Sequence, residues 1–227
     1  MVTLFIAGDS TAAKKLTERR PETGWGECLQ GFFDPARVTV DNRALNGRSS
    51  KSFIAQGHLK EIEQVIQPGD YMFIQFGHND QKLSDPQRGT HAFGDYQDYM
   101  RQYIQVAKAH QATPILLTSV TRRKYLADGS TLDPQAVGDF PEATRQIAQA
   151  EGLVCLDMFV ETQAFLSQFP PAETTKFFMN FASGVYSNYP AGSDDNTHSR
   201  PAGALLNAWL VAKALRNSPS PLRNALL

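Results

Sequence analysis

Five short apolar runs, each closed by turn-forming residues, punctuate the chain: Val2–Ala7, Val38–Asp41, Tyr71–Phe76, Pro114–Val120 and Leu153–Leu156. They are rich in branched and aromatic side chains and lack the polar alternation of a strand wetted on one face. Such runs suit strands buried on both faces. Between the third and fourth, Tyr99, Met100, Tyr103, Ile104, Val106 and Ala107 recur at helical spacing within Tyr96–His110. Phe140–Ala150 reads as a second helix before the fifth run. Pro201-Ala202-Gly203-Ala204-Leu205 opens a last helix reaching about Leu215, with Pro201 in the first turn, where no helical hydrogen bond needs its missing N–H.

Strands alternating with helices predict an α/β fold: a doubly wound, flavodoxin-like sheet of about five parallel strands flanked by helices, joined by right-handed crossovers. Neither an internal repeat nor a low-complexity linker interrupts the pattern, so residues 1–227 read as a single domain. Gln81–Gly94 and Phe177–Asn196 read as long irregular loops, and loops of that length in a compact domain more often serve function than not. The tail Asn217-Ser218-Pro219-Ser220-Pro221 is expected to fray.

Composition narrows the function classes. The 41% hydrophobic and 20% charged content fits a water-soluble globular protein, and 227 residues can enclose a real core. A net charge of −1 offers no general attraction to nucleic acid or anionic membrane, so neither is an expected partner. No stretch approaches the ~18 consecutive apolar residues of a spanning helix. The N-terminal run has no basic leader before it, which points to the cytoplasm, or to secretion if a leader once preceded the chain. Cys28 and Cys155, the two cysteines, form no C-x-x-C pair and are expected to be buried thiols. Oligomeric state is not legible.

Two segments far apart in the chain carry candidate chemistry. Gly8-Asp9-Ser10-Thr11 directly follows the first apolar run, and Asp195-Asn196-Thr197-His198 precedes the last helix. Together they supply the three groups of a Ser-His-Asp triad, which is recognised by roles rather than by chain order. Taken alone, the first could be a turn in which Ser10 or Thr11 caps a helix. The second, alone, could be a surface pair. Two further segments at strand ends shift that balance: Asn42-Arg43-Ala44-Leu45-Asn46-Gly47-Arg48-Ser49-Ser50 and Gln75-Phe76-Gly77-His78-Asn79-Asp80. Acyl transfer needs donors aimed at the oxygen that becomes negative. Gly47 can offer an unobstructed backbone N–H, and Asn79 a neutral side-chain amide.

The order Gly-Asp-Ser, Gly, Gly-x-Asn-Asp, Asp-x-x-His resembles the SGNH (GDSL-like) hydrolase superfamily. Gly8–Thr11, Gly47-Arg48-Ser49, Gly77–Asp80 and Asp195–His198 look most like its rhamnogalacturonan acetylesterase branch. That resemblance implies a serine esterase with Ser10 as nucleophile, His198 as base and Asp195 as the carboxylate orienting it. It also implies oxyanion donors from the Ser10 N–H, Gly47 and Asn79, and neither metal nor cofactor. Asn46 departs from the small residue usual before the glycine, and Ser199 from the aromatic residue usual after the histidine. The implied substrate is an acetylated carbohydrate, with acetylxylan, lysophospholipid and thioester as alternatives.

Arg48, His78, Tyr186 and Tyr189 are candidate substrate contacts. Arginines such as Arg48, Arg122 and Arg123 can grip an acidic sugar, and a tyrosine presents a flat face with a polar tip. The phenylalanines Phe177, Phe178 and Phe181 read as local packing. A metal-dependent hydrolase using His78, Asp80, His91, Asp195 and His198 is a weaker rival, since no tight ligand motif unites them. A sugar-binding module without catalysis fits less well still, because every triad and oxyanion position holds a competent residue.

Overall fold

The computed structural model describes all 227 residues. Its sheet has five parallel strands: β1 (Val2–Gly8), β2 (Val38–Asn42), β3 (Tyr71–Gln75), β4 (Thr113–Leu117) and β5 (Cys155–Leu156), in the order β2-β1-β3-β4-β5. Helices α1 (Trp25–Cys28), α2 (Ser50–Ala55), α3 (His58–Glu63), α4 (Asp95–Ala109), α5 (Phe140–Glu151), α6 (Met158–Leu166), α7 (Pro171–Thr174) and α8 (Pro201–Arg216) complete it. The expected doubly wound architecture is therefore present.

Successive side chains of a strand point to opposite faces, and here both faces are dry. Leu4, Ile6, Phe73, Ile115 and Leu117 join Trp25 of α1 and Ala208, Val211 and Leu215 of α8 in one core. Phe5, Ala7, Met72, Ile74 and Leu116 join Phe53, Leu59, Met100, Tyr103 and Ile147 from α2 to α5 in the other. Double-sided burial is the physical reason the strands appear in the sequence as unbroken apolar runs. Trimming a large core side chain such as Phe73 to alanine should cost about 3–5 kcal/mol.

In this strand order the chain leaves β1 on one side for β2 and returns on the other to β3. The loops after β1 and β3 diverge, and the crevice between them is where open α/β sheets hold their ligands. Gly8 pairs with Gln75 at the carboxyl ends of the two strands, so Ser10 and the Gly77–Asp80 segment emerge side by side.

Three expectations require correction. Phe177–Asn196 is not wholly irregular: β6 (Phe178–Phe181) pairs antiparallel with β7 (Ser193–Ser199), and the Asp195–His198 segment is strand. The tail does not fray, because Leu222 and Ala225 enter the core beside α8 and Ser220 caps the 3-10 turn Pro221–Ala225. Its apolar residues outweigh the serine and proline that precede them. The cysteines are free thiols, but only half-buried.

Candidate active site

Beneath Ser10 the backbone is held at nearly every polar atom. The Asp9 carbonyl accepts from the N–H groups of Ala12 and Ala13 at 3.2 and 3.1 Å. Its carboxylate accepts from the N–H and hydroxyl of Thr11, at 2.8 and 2.7 Å, and from His78 Nδ1 at 3.2 Å. Burial pushes the Asp9 pKa up, but these partners outweigh it and bring it down to about 2. His78 is itself lowered by burial, against the pull of Asp9. Its Nε2 is buried without a partner, so a second ring proton would have no acceptor. Gln75 ties this turn to the core, accepting from Trp25 Nε1 and donating to the Thr11 hydroxyl.

Ser10 Oγ lies 2.9 Å from His198 Nε2, and His198 Nδ1 lies 2.6 Å from Asp195 Oδ2. The other carboxylate oxygen of Asp195 accepts from the backbone N–H groups of Thr197 and His198, at 2.7 and 3.0 Å. Burial again acts to raise the Asp195 pKa. The histidine and the two amides prevail and lower it to about 2. An anionic Asp195 on Nδ1 leaves Nε2 free to take the serine proton. β7 reaches this position because arginines fasten it: Arg122 bonds Thr197 Oγ1 at 2.5 Å, and Arg123 bonds Asn196 Oδ1 at 3.0 Å. Ser199 accepts the Thr23 N–H at 2.9 Å and joins the strand to the segment before α1.

Three N–H groups, on the segments after β1, β2 and β3, remain free to donate. Neither the Ser10 nor the Gly47 backbone N–H has a partner within the protein. Gly47 sits at φ +74°, a left-handed conformation that glycine adopts without strain. Asn79 donates one amide hydrogen to the Arg48 carbonyl at 2.9 Å, and its Oδ1 accepts from Lys82 at 3.0 Å. Those two bonds orient the amide and leave its second hydrogen available. Asp80 pins the loops together, accepting from Ser50 N–H and hydroxyl, Gly77 N–H and the Thr90 hydroxyl. Burial pushes Asp80 up to about 7 against the pull of those donors. At Gly77, φ +143°, a Cβ would meet the Ser119 hydroxyl oxygen at 2.4 Å, so nothing larger fits.

A serine, histidine and aspartate in relay can carry out acyl transfer. The family model for GDSL-like lipases and acylhydrolases matches residues 6–204. The chain belongs to that family, and is an esterase. It is 33% identical to rhamnogalacturonan acetylesterase RhgT of Bacillus subtilis (strain 168), over all of this chain and 94% of that protein. It is 34% identical to probable rhamnogalacturonan acetylesterase YesY of the same organism, over 99% of this chain and 97% of that one. The crystal structure of YXIM from Bacillus subtilis superimposes with a TM-score of 0.78 at 24% identity, covering 95% of this chain and 56% of that one.

Around this GDSL-like site the remaining candidates fall differently. His78, expected at the substrate, is 3% exposed and lies beneath the Ser10 turn, drawn in by the buried Asp9. The Arg48 guanidinium turns back onto the Asn46 carbonyl at 2.7 Å, while Arg122 and Arg123 serve β7. Tyr186 and Tyr189 both lie edge to face on Phe181, at 4.7 and 5.7 Å between ring centroids. The Tyr189 hydroxyl donates to the Arg19 carbonyl. His91 lies on the surface, paired with Asp95 at 3.7 Å, and Asp80 is fully engaged, so the metal-site residues do not converge. A depression of about 520 Å³ opens along β5 and the end of α8, and no triad residue lines it.

Sequence reasoning missed Lys15. Its side chain is fully buried and its ammonium reaches Ser10 O and Asn46 Oδ1, both at 2.5 Å, and Glu22 Oε1 at 2.8 Å. Burial lowers its pKa, and Glu22 opposes that shift. The available signal was the departure at Asn46, a side-chain carbonyl just before Gly47 that an ammonium can bind.

Proposed function

We propose that this esterase removes acetyl groups from acetylated rhamnogalacturonan (pectic) oligosaccharides through a Ser10 acyl-enzyme. The observation that carries the chemistry is the continuous relay from Ser10 through His198 to Asp195, flanked by unpaired donors at Ser10 and Gly47. His198 takes the Ser10 proton as Oγ attacks the ester carbonyl. The tetrahedral oxygen receives hydrogen bonds from Ser10 N–H, Gly47 N–H and Asn79 Nδ2. His198 then gives the proton to the departing sugar hydroxyl, and water, activated by the same base, releases acetate and restores the serine. Each proton is returned, so no cofactor is consumed.

The sugar part of the reading rests on full-length likeness to RhgT and YesY. Polar surroundings add to it: the exposed Asn46 and Lys82 lie beside Gly47 and Asn79, where a long acyl chain would want an apolar groove. The test is acetate release from acetylated rhamnogalacturonan, xylan and neutral oligosaccharides, beside p-nitrophenyl esters of rising chain length. The expected pattern is fastest release from the pectic substrate and a steep decline beyond acetyl. Preference for xylan, or for long acyl chains, overturns the assignment.

A further inference from the structure

We infer that Lys15 is a positioning residue for ester hydrolysis: its buried ammonium clamps the Ser10 turn to the Asn46–Gly47 turn and fixes the spacing of the two backbone oxyanion donors. The inference rests on the reading of Ser10 as nucleophile. An ammonium taken out of water is costly unless its protons are all matched. Lys15 has three, and three acceptors receive them: Ser10 O, Asn46 Oδ1 and Glu22 Oε1. Only Glu22 answers the charge. The other two acceptors belong to the residue whose N–H is one donor and to the residue just before the other.

A planar trans peptide makes such anchoring directional, because its N–H points opposite to its C=O. The Asp9–Ser10 peptide is held at its oxygen by Ala12 and Ala13, so the Ser10 N–H faces the other way. The next peptide is gripped at both ends, its oxygen by Lys15 and the Thr11 N–H by Asp9 Oδ1. On the facing turn, Arg48 holds the Asn46 carbonyl, which sets the direction of the Gly47 N–H, and Lys15 holds the Asn46 side chain. Every other contact in this group lies within one turn. Lys15 is the side chain that reaches both turns at the donors themselves, beside the bonds from Leu45 N–H to Gly8 O and from Asn42 Nδ2 to Ala12 O that join the same segments further back.

Glu22 also binds Arg19 through its second oxygen, at 3.2 and 3.0 Å, so it keeps a cation when Lys15 is removed. With Glu22 beside it, Lys15 adds little net charge at the site, and its effect is geometric. Misplacement of reacting groups by about 1 Å can cost ~10²-fold in rate. Donors that act only on the tetrahedral oxygen affect kcat and spare KM.

Steady-state hydrolysis of p-nitrophenyl acetate by wild type, Lys15→Met, Asn46→Ala and Ser10→Ala, with Tm measured on each, tests the clamp. Lys15→Met should lower kcat by about 10- to 100-fold with KM within about twofold, in line with donor misplacement. Asn46→Ala removes only the Gly47 side and should lower kcat by roughly 3- to 10-fold. Because the Asn46 side chain is exposed, that variant decides the matter if Lys15→Met does not fold. Wild-type kcat in either folded variant, a loss confined to KM, or a lower Tm with kcat intact overturns the clamp. Activity retained by Ser10→Ala would instead overturn the nucleophile assignment, whereas an inactive Ser10→Ala beside a fully active Lys15→Met removes the clamp alone.

Discussion

Ser10 is 8% exposed in the turn that follows an interior strand of a sheet buried on both faces, whereas the side chains of His198 and Asp195 are 26% and 37% exposed on a two-stranded ladder outside that sheet. Each side is built by different forces. The serine turn rests on packed core and buried polar ties that start from Gln75, Asp9 and Lys15. The histidine strand reads Ser-Asp-Asp-Asn-Thr-His-Ser, with almost nothing apolar to bury, and stays in place through Arg122, Arg123 and the Thr23 N–H. A rigid nucleophile is thus matched to a base mounted near solvent, where substrate and water can reach it.

The largest effect expected from breaking this pair is at the core side. Ser10→Ala should lower ester hydrolysis by at least ~10⁴-fold, since removing one triad member forfeits nearly all the work of the unit. Mass spectrometry after treatment with an organophosphate should find wild type labelled at Ser10 and the variant unlabelled. On the solvent side, Asp195→Asn should reduce kcat by at least ~10²-fold, yet by less than the ~10⁴ known for a buried triad aspartate. The reason is that water can partly replace a half-exposed carboxylate. A loss beyond that bound would mean the ladder closes over Asp195 when substrate binds.

Asn79→Ala falls between the two regions and should lower kcat by ~10²–10³-fold with a small change in KM, as for other oxyanion donors. If its role were only to hold the Arg48 carbonyl, Tm would drop and kcat of the folded fraction would remain.

The buried Asp9–His78 pair gives the core side a pH dependence of stability. Asp9 is depressed from 3.8 to about 2, so the stability it adds is present above about pH 4 and is lost as pH falls toward 2. That contribution is roughly 2 kcal/mol. His78 is depressed too, and the unfolded chain takes up its proton first, so its share also fades as pH falls below the ordinary 6.5. Asp80, raised from 3.8 to about 7, acts in the opposite sense and adds stability as pH falls from 7 toward 4. The Asp9 share is therefore read as the difference in urea midpoint between wild type and Asp9→Asn, which should shrink as pH falls from about 4 toward 2. A wild-type to Asp9→Asn difference that stays constant down to pH 2 would contradict a depressed Asp9.

The smallest effect concerns the ladder's own surface. Tyr186→Ala should reduce kcat/KM on an acetylated oligosaccharide by about 3- to 10-fold more than on p-nitrophenyl acetate, whose small leaving group cannot use an aromatic platform. Equal losses on both would assign Tyr186 to its packing on Phe181.

The same contrast explains what the sequence disclosed. Strands β1, β3 and β4 were legible because burial on both faces writes an unbroken apolar run, as in Phe73-Ile74. Helix α4 was legible through its one-sided spacing. The ladder was not, because β7 is polar throughout and its hydrogen bonds come from residues remote in sequence. Motif order pointed to Ser10, Asp195 and His198, which the folded chain joins by hydrogen bonds, and to Gly47 and Asn79 on the neighbouring strand-end segments. Lys15 escaped notice because an isolated lysine looks like a solvated one until its three acceptors are seen. His78 was misplaced for a related reason: only the fold shows that Asp9 points inward and needs a partner.

The outer ladder has a further consequence. β6 and β7 are joined through an irregular register between Phe178 and Asn180; β6 packs Phe178 against Leu132 and Leu166, whereas β7 buries little that is apolar and is held by a few named bonds. Segments with little buried apolar contact open with less free energy than the whole protein requires. Ser10 and His198 therefore belong to units of unequal cooperativity. On mild heating the amides of β7 should exchange with deuterium ahead of those in β1 and β3, and turnover should disappear while the sheet is still closed. The working lifetime of the enzyme is then expected to follow fluctuations of the polar strand that carries its base, ahead of melting of the core.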